Sequence, residues 1–204
     1  MFPLADNPGV HGALTNMVAE LKTAGLDKFF AFLPADTLHI TAFEGLTDIP
    51  QDELNAATAR FGHALEKKSA AEEYRVSPVG LTMGESLRIV VEGANDSEKR
   101  LLWDLRNVLH KATKTNCNDL TAYEFHISLA YPKKKFDNEV AQDIAPKLQA
   151  AYDRHIAPFA LMQLGRVGFY KFEDMGRFTR IGTLGYDGYT ELGTEAPEVE
   201  DASA

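Results

Sequence analysis

Residues 38–43 read "LHITAF" and residues 125–131 read "FHISLAY". Each stretch holds a histidine, one apolar residue and a hydroxyl residue inside an apolar run that reads as a β-strand. Side chains alternate in a strand, so His39, Thr41 and Phe43 share one face and Leu38, Ile40 and Ala42 the other. His126, Ser128 and Ala130 share a face in the same way, opposite Phe125, Ile127 and Leu129. Imidazole and hydroxyl then stand about 6–7 Å apart along each strand. That spacing suits a ring working at a reacting oxygen while the hydroxyl holds a second oxygen of the same group. One strand histidine is more often a hydrogen-bonded core residue than a catalyst. Two in matched positions, with two hydroxyls to satisfy as well, point the other way. His11, His63, His110 and His155 lack the pattern and read as loop or helix-surface residues.

The elements that must position these motifs follow from periodicity. A helix is expected over 7–24, capped by Asn7 and opened by Pro8, with Val10, Leu14, Met17, Val18 and Leu21 as its apolar stripe. "FFAFL" and "TLHITAF" read as strands split by a turn at Pro34-Ala35-Asp36. A second helix covers about 51–68, with Leu54, Ala57, Phe61 and Leu65 on one face. "YRVSPVGLTM" and "SLRIVVEG" then form a hairpin around Gly84-Glu85. A third helix, about 96–114, carries Leu101, Leu102, Leu105, Val108 and Leu109 as its stripe, and "FHISLAY" follows it as a strand. The fourth helical region, Asp137 to about His155, contains Pro146, where a kink or restart is expected. "FALMQLGRVGFYKF" and "FTRIGTLGY" close the series as strands.

The order helix, His strand, helix, two strands therefore occurs twice. His39 and His126 are 87 residues apart; His39 precedes Gly80 by 41 residues and His126 precedes Gly168 by 42. Arg88 in "LRI" matches Arg180 in "TRI". We expect residues 8–91 and 94–184 to be repeated lobes of one domain over 1–190. A pseudo-twofold between them would bring both His strands side by side and turn both rings into one groove.

Composition bounds the function. A chain of 204 residues with 45% hydrophobic and 25% charged residues suits one globular domain or two small lobes. "MFPLADNPG" shows no basic head or apolar run, so no signal peptide is expected, and no stretch is long enough to span a bilayer; the cytoplasm is the expected compartment. Cys117, the single cysteine, reads as a buried thiol ahead of a nucleophile. Residues 191–204 hold five acids and no base and are expected to be disordered; they account for five of the nine net negative charges, leaving −4 for the body. That balance argues against a broad basic grip on long nucleic acid, though not against a small phosphorylated ligand.

With its two His-x-Thr/Ser motifs on strands of two repeated halves, the sequence resembles the two-histidine (2H) phosphoesterase superfamily, which includes RNA-ligase-like 2′,3′-cyclic phosphodiesterases. "FAFLPADTLHITAFEG" and "FYKFEDMGRF" look most like a branch of unknown function within it. The resemblance implies an α+β fold, two pseudo-twofold αβ lobes with antiparallel sheets flanking a groove. It also implies His39 and His126 as the catalytic pair and Thr41 and Ser128 as phosphate-binding hydroxyls. The chain departs from the family in the short "MFPLA" segment before the first helix, and in Ala130 at the place that Phe43 takes in the first motif.

Four weaker candidates for substrate contact are Phe43, Arg88, Arg180 and Tyr131, the last on the opposite strand parity from His126 unless Pro132 twists the strand end. Lys133–Lys135 reads as a solvated charge run, and Glu44 and Glu124 beside the motifs lack metal-ligand spacing. The expected activity is hydrolysis of a cyclic phosphate on a small nucleotide or an RNA end, by a monomer without metal or cofactor. The alternative expectations are a non-catalytic nucleotide or RNA-end binding module of the same fold, and a metal-dependent hydrolase.

Overall fold

A computed structural model describes residues 1–43, 51–114, 120, 122–174 and 177–192, without the side chains of 51, 52, 54, 55, 172–174 and 177. Glu44, Cys117 and the acidic tail from 193 onward lie outside the described residues. The elements in chain order are β1 (Phe2–Pro3), α1 (Pro8–Thr23), β2 (Phe30–Phe32), β3 (His39–Ile40), α2 (Gln51–Leu65), β4 (Tyr74–Met83), β5 (Leu87–Gly93), α3 (Asp96–Thr113), β6 (His126–Pro132), α4 (Asn138–His155), β7 (Met162–Leu164), β8 (Val167–Asp174), β9 (Arg177–Gly185) and β10 (Gly188–Glu191). It is an α+β fold in which every strand pairing described is antiparallel. No helix among the described residues is long and apolar enough to cross a membrane.

Local chemistry starts the helices where the sequence places them. Asn7, Asn95 and Asp137 each accept a backbone N–H three residues on, at Val10, Glu98 and Val140. The expected stripe of α1 is buried as a unit. On α3 the stripe turns slightly from the expected one. Leu101 is exposed, and Arg106 takes a place in the buried row with Leu102, Leu105 and Leu109. Pro146 does not break α4, which runs as one helix from Asn138 to His155. Pro146 and Gln142, whose carbonyl the proline leaves without its N–H partner, both face solvent, so water can take that bond.

The larger sheet runs β1-β3-β6-β5-β4-β7, with β2 also pairing with β6; the smaller is β10-β9-β8. "FALMQLGRVGFYKF" divides into β7 on the larger sheet and β8 on the smaller. β10, a strand not expected from sequence, pairs with β9 and includes Glu191. The two histidine strands lie side by side at the centre of the larger sheet. Their alternation is sharp: Leu38, Ile40, Ala42, Phe125, Ile127 and Leu129 are all buried in the core, while His39, Thr41, His126 and Ser128 are only partly covered. Core burial of the intervening residues holds the polar four on the other face.

Candidate active site

β3 is only two residues long, and its single partner in β6 is the pair Ile40–Ile127. Counting one step back in the antiparallel ladder sets His39 across from Ser128; Thr41 follows the end of β3. The hydroxyl of the second motif therefore neighbours the imidazole of the first. On the far side of β6, Arg88 of β5 is the partner of Ser128, and Val90 is the partner of His126. Sequence alone could not reveal this cross-pairing, because it depends on a register between strands 87 residues apart.

Both rings are held by the same local device. His39 Nδ1 lies 2.7 Å from the Thr37 carbonyl, and His126 Nδ1 lies 2.8 Å from the Glu124 carbonyl. A carbonyl only accepts, so Nδ1 carries the proton in both rings and Nε2 is left as the basic nitrogen of the neutral form. The Thr37 carbonyl is itself steadied: Thr37 is buried, and its hydroxyl donates to the Pro34 carbonyl at 2.8 Å across the turn Ala35–Thr37. The two rings differ in surroundings. Phe178 of β9 packs edge-on against His39 with ring centres 5.1 Å apart, whereas the Tyr123 ring lies tilted 6.2 Å from His126.

Burial pushes the pKa of His39 below its ordinary value, against an upward pull from the hydrogen bond to Thr37; the Met1 ammonium and His126 add smaller downward pushes. Burial drives the Met1 amine itself down to about 5, so its share fades at neutral pH. Burial, the largest cause, then remains and favours the neutral ring.

Two arginines stand in matched networks. Arg88 donates from Nε to Thr82 Oγ1 at 3.2 Å, and its Nη2 lies 3.0 Å from Glu124 Oε1. Arg180 donates from Nε to the Tyr170 hydroxyl at 2.6 Å and from Nη2 to Asp6 at 2.6 Å. Each hydroxyl belongs to the arginine's own partner across its hairpin, Thr82 for Arg88 and Tyr170 for Arg180. Burial lowers the pKa of Arg180, but the Asp6 carboxylate and Tyr170 hydroxyl outweigh it and the net shift is upward. Arg88 sits beside Ser128 through its strand register; Arg180 reaches the site through β9, two residues from Phe178.

Phe43 and Tyr131 are not brought to the histidines. β3 ends at Ile40, so strand alternation does not extend to Phe43, whose ring packs against α3 at Arg106 (5.6 Å) and His110 (6.4 Å). Tyr131 is the partner of Ala31, lies 36% exposed, and stands five residues along β6 from His126. Lys133, Lys134 and Lys135 are exposed beyond the same strand end. Glu124 is occupied by Arg88, and among the described residues no group of three His, Cys, Asp or Glu is placed to hold a metal ion.

Arg106 is the residue the sequence reading missed. It is fully buried, donates to the Ala42 carbonyl at 2.9 Å, and lies 4.0 Å from the Tyr123 ring, with Phe43, Trp103 and Phe125 within 6.0 Å. It thus ties the end of the first motif and the entry to the second onto α3. The signal was its helical spacing from Leu102 and Leu109, which puts it on the apolar stripe.

Comparison with known proteins bears on the fold and on the first half of the chain. Residues 3–100 match the family model described as 2H-phosphodiest, domain of unknown function (DUF1868). In fold, the chain is similar to the conserved protein of unknown function ATU0111 from Agrobacterium tumefaciens, at 22% identity and a TM-score of 0.72, over 88% of this chain and 81% of that one. It is also similar to a crystal structure titled phosphoesterase, at 12% identity and a TM-score of 0.50, over 83% of this chain and 92% of that one. A weaker likeness is to E. coli LigT complexed with 3′-AMP, at 14% identity and a TM-score of 0.47, over 83% and 92% of the two chains. No curated protein matches significantly in sequence. The family match thus covers residues 3–100, just under half of this chain, and the likeness to ATU0111 shows that the chain shares its fold.

Proposed function

We propose that the protein is a metal-independent phosphodiesterase that opens a cyclic phosphate of the 2′,3′-cyclic nucleotide or RNA-end type, with His39 and His126 as its acid/base pair. The observation that carries this reading is the identical handling of the two rings, each donating Nδ1–H to the carbonyl two residues before it and leaving Nε2 for chemistry. A binding module has no need of two imidazoles presented in one tautomer on neighbouring strands.

Displacement at phosphorus is in line, so the attacking and leaving oxygens are on opposite sides. One neutral imidazole takes a proton from water as the water oxygen bonds to phosphorus. The phosphorus–oxygen bond to one ribose oxygen breaks, and the second ring, protonated, gives its proton to that oxygen. We assign the base role to His39, which burial keeps neutral, and the acid role to His126. Thr41 and Ser128, the latter across the strands from His39, hold the non-bridging oxygens as their charge grows. Arg88, next to Ser128, adds positive charge on that side.

The same reading takes residues 8–91 and 94–184 as two lobes of one domain related by a pseudo-twofold through the Ile40–Ile127 pair. The matched arginine networks support it, and superposing the two segments tests it. The protein acts as a cytoplasmic monomer on a small nucleotide or an RNA end.

The test is a panel of 2′,3′-cyclic mononucleotides, 3′,5′-cyclic nucleotides and short RNAs with cyclic-phosphate ends, with and without EDTA. Turnover of 2′,3′-cyclic substrates that resists EDTA and is abolished by His39→Ala or His126→Ala is expected. Loss on chelation would identify a metal-dependent hydrolase instead. Binding without turnover would identify a binding module.

A further inference from the structure

Between the end of β5, the first half of α3 and the segment leading into β6 lies a cavity of about 380 Å³, within the range of small-molecule sites, ~300–1,000 Å³. Three aromatic rings line it, those of Trp103, Tyr123 and Phe125. Trp103 and Tyr123 both stand edge-on to Phe125, at 5.8 and 5.3 Å. The charged part of the lining is Glu92, Lys99 and Glu124. Glu92 pairs with Lys99 at 2.7 Å, and Glu124 pairs with Arg88 at 3.0 Å. Gly93 lets these parts meet: a Cβ there would come within 2.4 Å of the Lys99 backbone nitrogen, so only glycine lets α3 start hard against the end of β5.

This cavity is linked to His126 by two routes. The Tyr123 ring that walls it lies 6.2 Å from the His126 ring. Glu124 orients His126 through its carbonyl and holds Arg88, the strand partner of Ser128, through its carboxylate.

We propose that the cavity receives the base of the nucleotide whose cyclic phosphate lies between His39 and His126, and that it favours bases carrying an exocyclic amino group. This deepens the phosphodiesterase reading and rests on it for the position of the phosphate. The rings offer flat apolar contact, which any nucleobase face satisfies. Lys99, the one cation of the lining, is already paired with Glu92, so the cavity offers no free positive charge to a second phosphate and suits the base end of the ligand. A carboxylate is acceptor-only, and its several lone pairs leave capacity for another donor after one ion pair. Adenine, guanine and cytosine present amino donors and uracil does not.

Trp103 is the only tryptophan of the chain, so its emission reports occupancy without turnover. The intact protein is titrated with the 3′-monophosphates of adenosine, guanosine, cytidine and uridine, and with ribose 5-phosphate, which has no base. A saturable emission change is expected with the three amino-bearing nucleotides, at concentrations roughly fivefold or more below uridine 3′-monophosphate, and none with ribose 5-phosphate. Glu92→Gln is expected to erase the preference while keeping the emission change. In turnover, Trp103→Ala should raise KM for 2′,3′-cyclic AMP roughly tenfold with kcat nearly unchanged. Emission that ignores all four nucleotides, responds equally to ribose 5-phosphate, or shows no amino preference overturns the proposal. An emission response with the expected preference and no turnover of cyclic substrates keeps the base site and removes the catalytic reading. Turnover with silent emission removes the base site alone.

Discussion

Ile40 and Ile127 face each other as Cα partners across the two central strands, and both are fully buried. One step from this pair sets an imidazole opposite a hydroxyl, His39 with Ser128. The apolar contact on the core face thus sets the geometry of the polar face. A one-residue slip would send one motif's histidine into the core, which the burial of Ile40 and Ile127 opposes.

Thr41 and Ser128 have the same place in their motifs, two residues after the histidine, so both should support the phosphate. Thr41→Ala and Ser128→Ala should each lower kcat on 2′,3′-cyclic nucleotides by about a hundredfold, with smaller changes in KM. Steady-state kinetics on both variants checks this. A loss confined to KM would mean ground-state binding only.

The depressed pKa of His39 predicts the acid limb of activity. kcat/KM should rise with pH through a midpoint below about 6.5, the ordinary histidine value. Phe178 supplies part of the cover over this ring, so Phe178→Ala should move the midpoint upward. A pH–rate profile of both proteins decides.

The same shift bears on stability. His39 binds its proton more weakly when folded than when unfolded, so its contribution is fully present above about pH 6.5 and is lost as pH falls from there through the folded value. Urea denaturation of wild type and His39→Gln should show the wild type losing ground on acidification across that window. A gap that stays constant would remove the effect.

Arg106 should prove structurally costly to replace. Arg106→Ala removes the donor to the buried Ala42 carbonyl and empties the space among four rings. A loss of about 3 kcal/mol or more is expected by denaturant titration. Arg106→Lys should recover only part of it, because an ammonium lacks the planar face that lies against Tyr123.

Arg88 and Arg180 should separate. Arg88→Ala removes a charge beside Ser128 and should raise KM about tenfold. Arg180→Ala should act less on KM, since Arg88 is the strand partner of Ser128 whereas Arg180 is linked to His39 through Phe178, two residues away on β9. Equal effects would place both arginines on the substrate.

Much of this protein was determined by local sequence. Caps at Asn7, Asn95 and Asp137 started helices where they were expected, and the alternation around His39 and His126 separated core from site, because both depend only on neighbours along the chain. Tertiary structure decided the rest. The register between β3 and β6, the burial of His39 by Phe178, the anchoring of Ala42 by Arg106 and the diversion of Phe43 to α3 all join residues far apart in the chain. No local pattern encodes such meetings, which follow from how the whole apolar face packs.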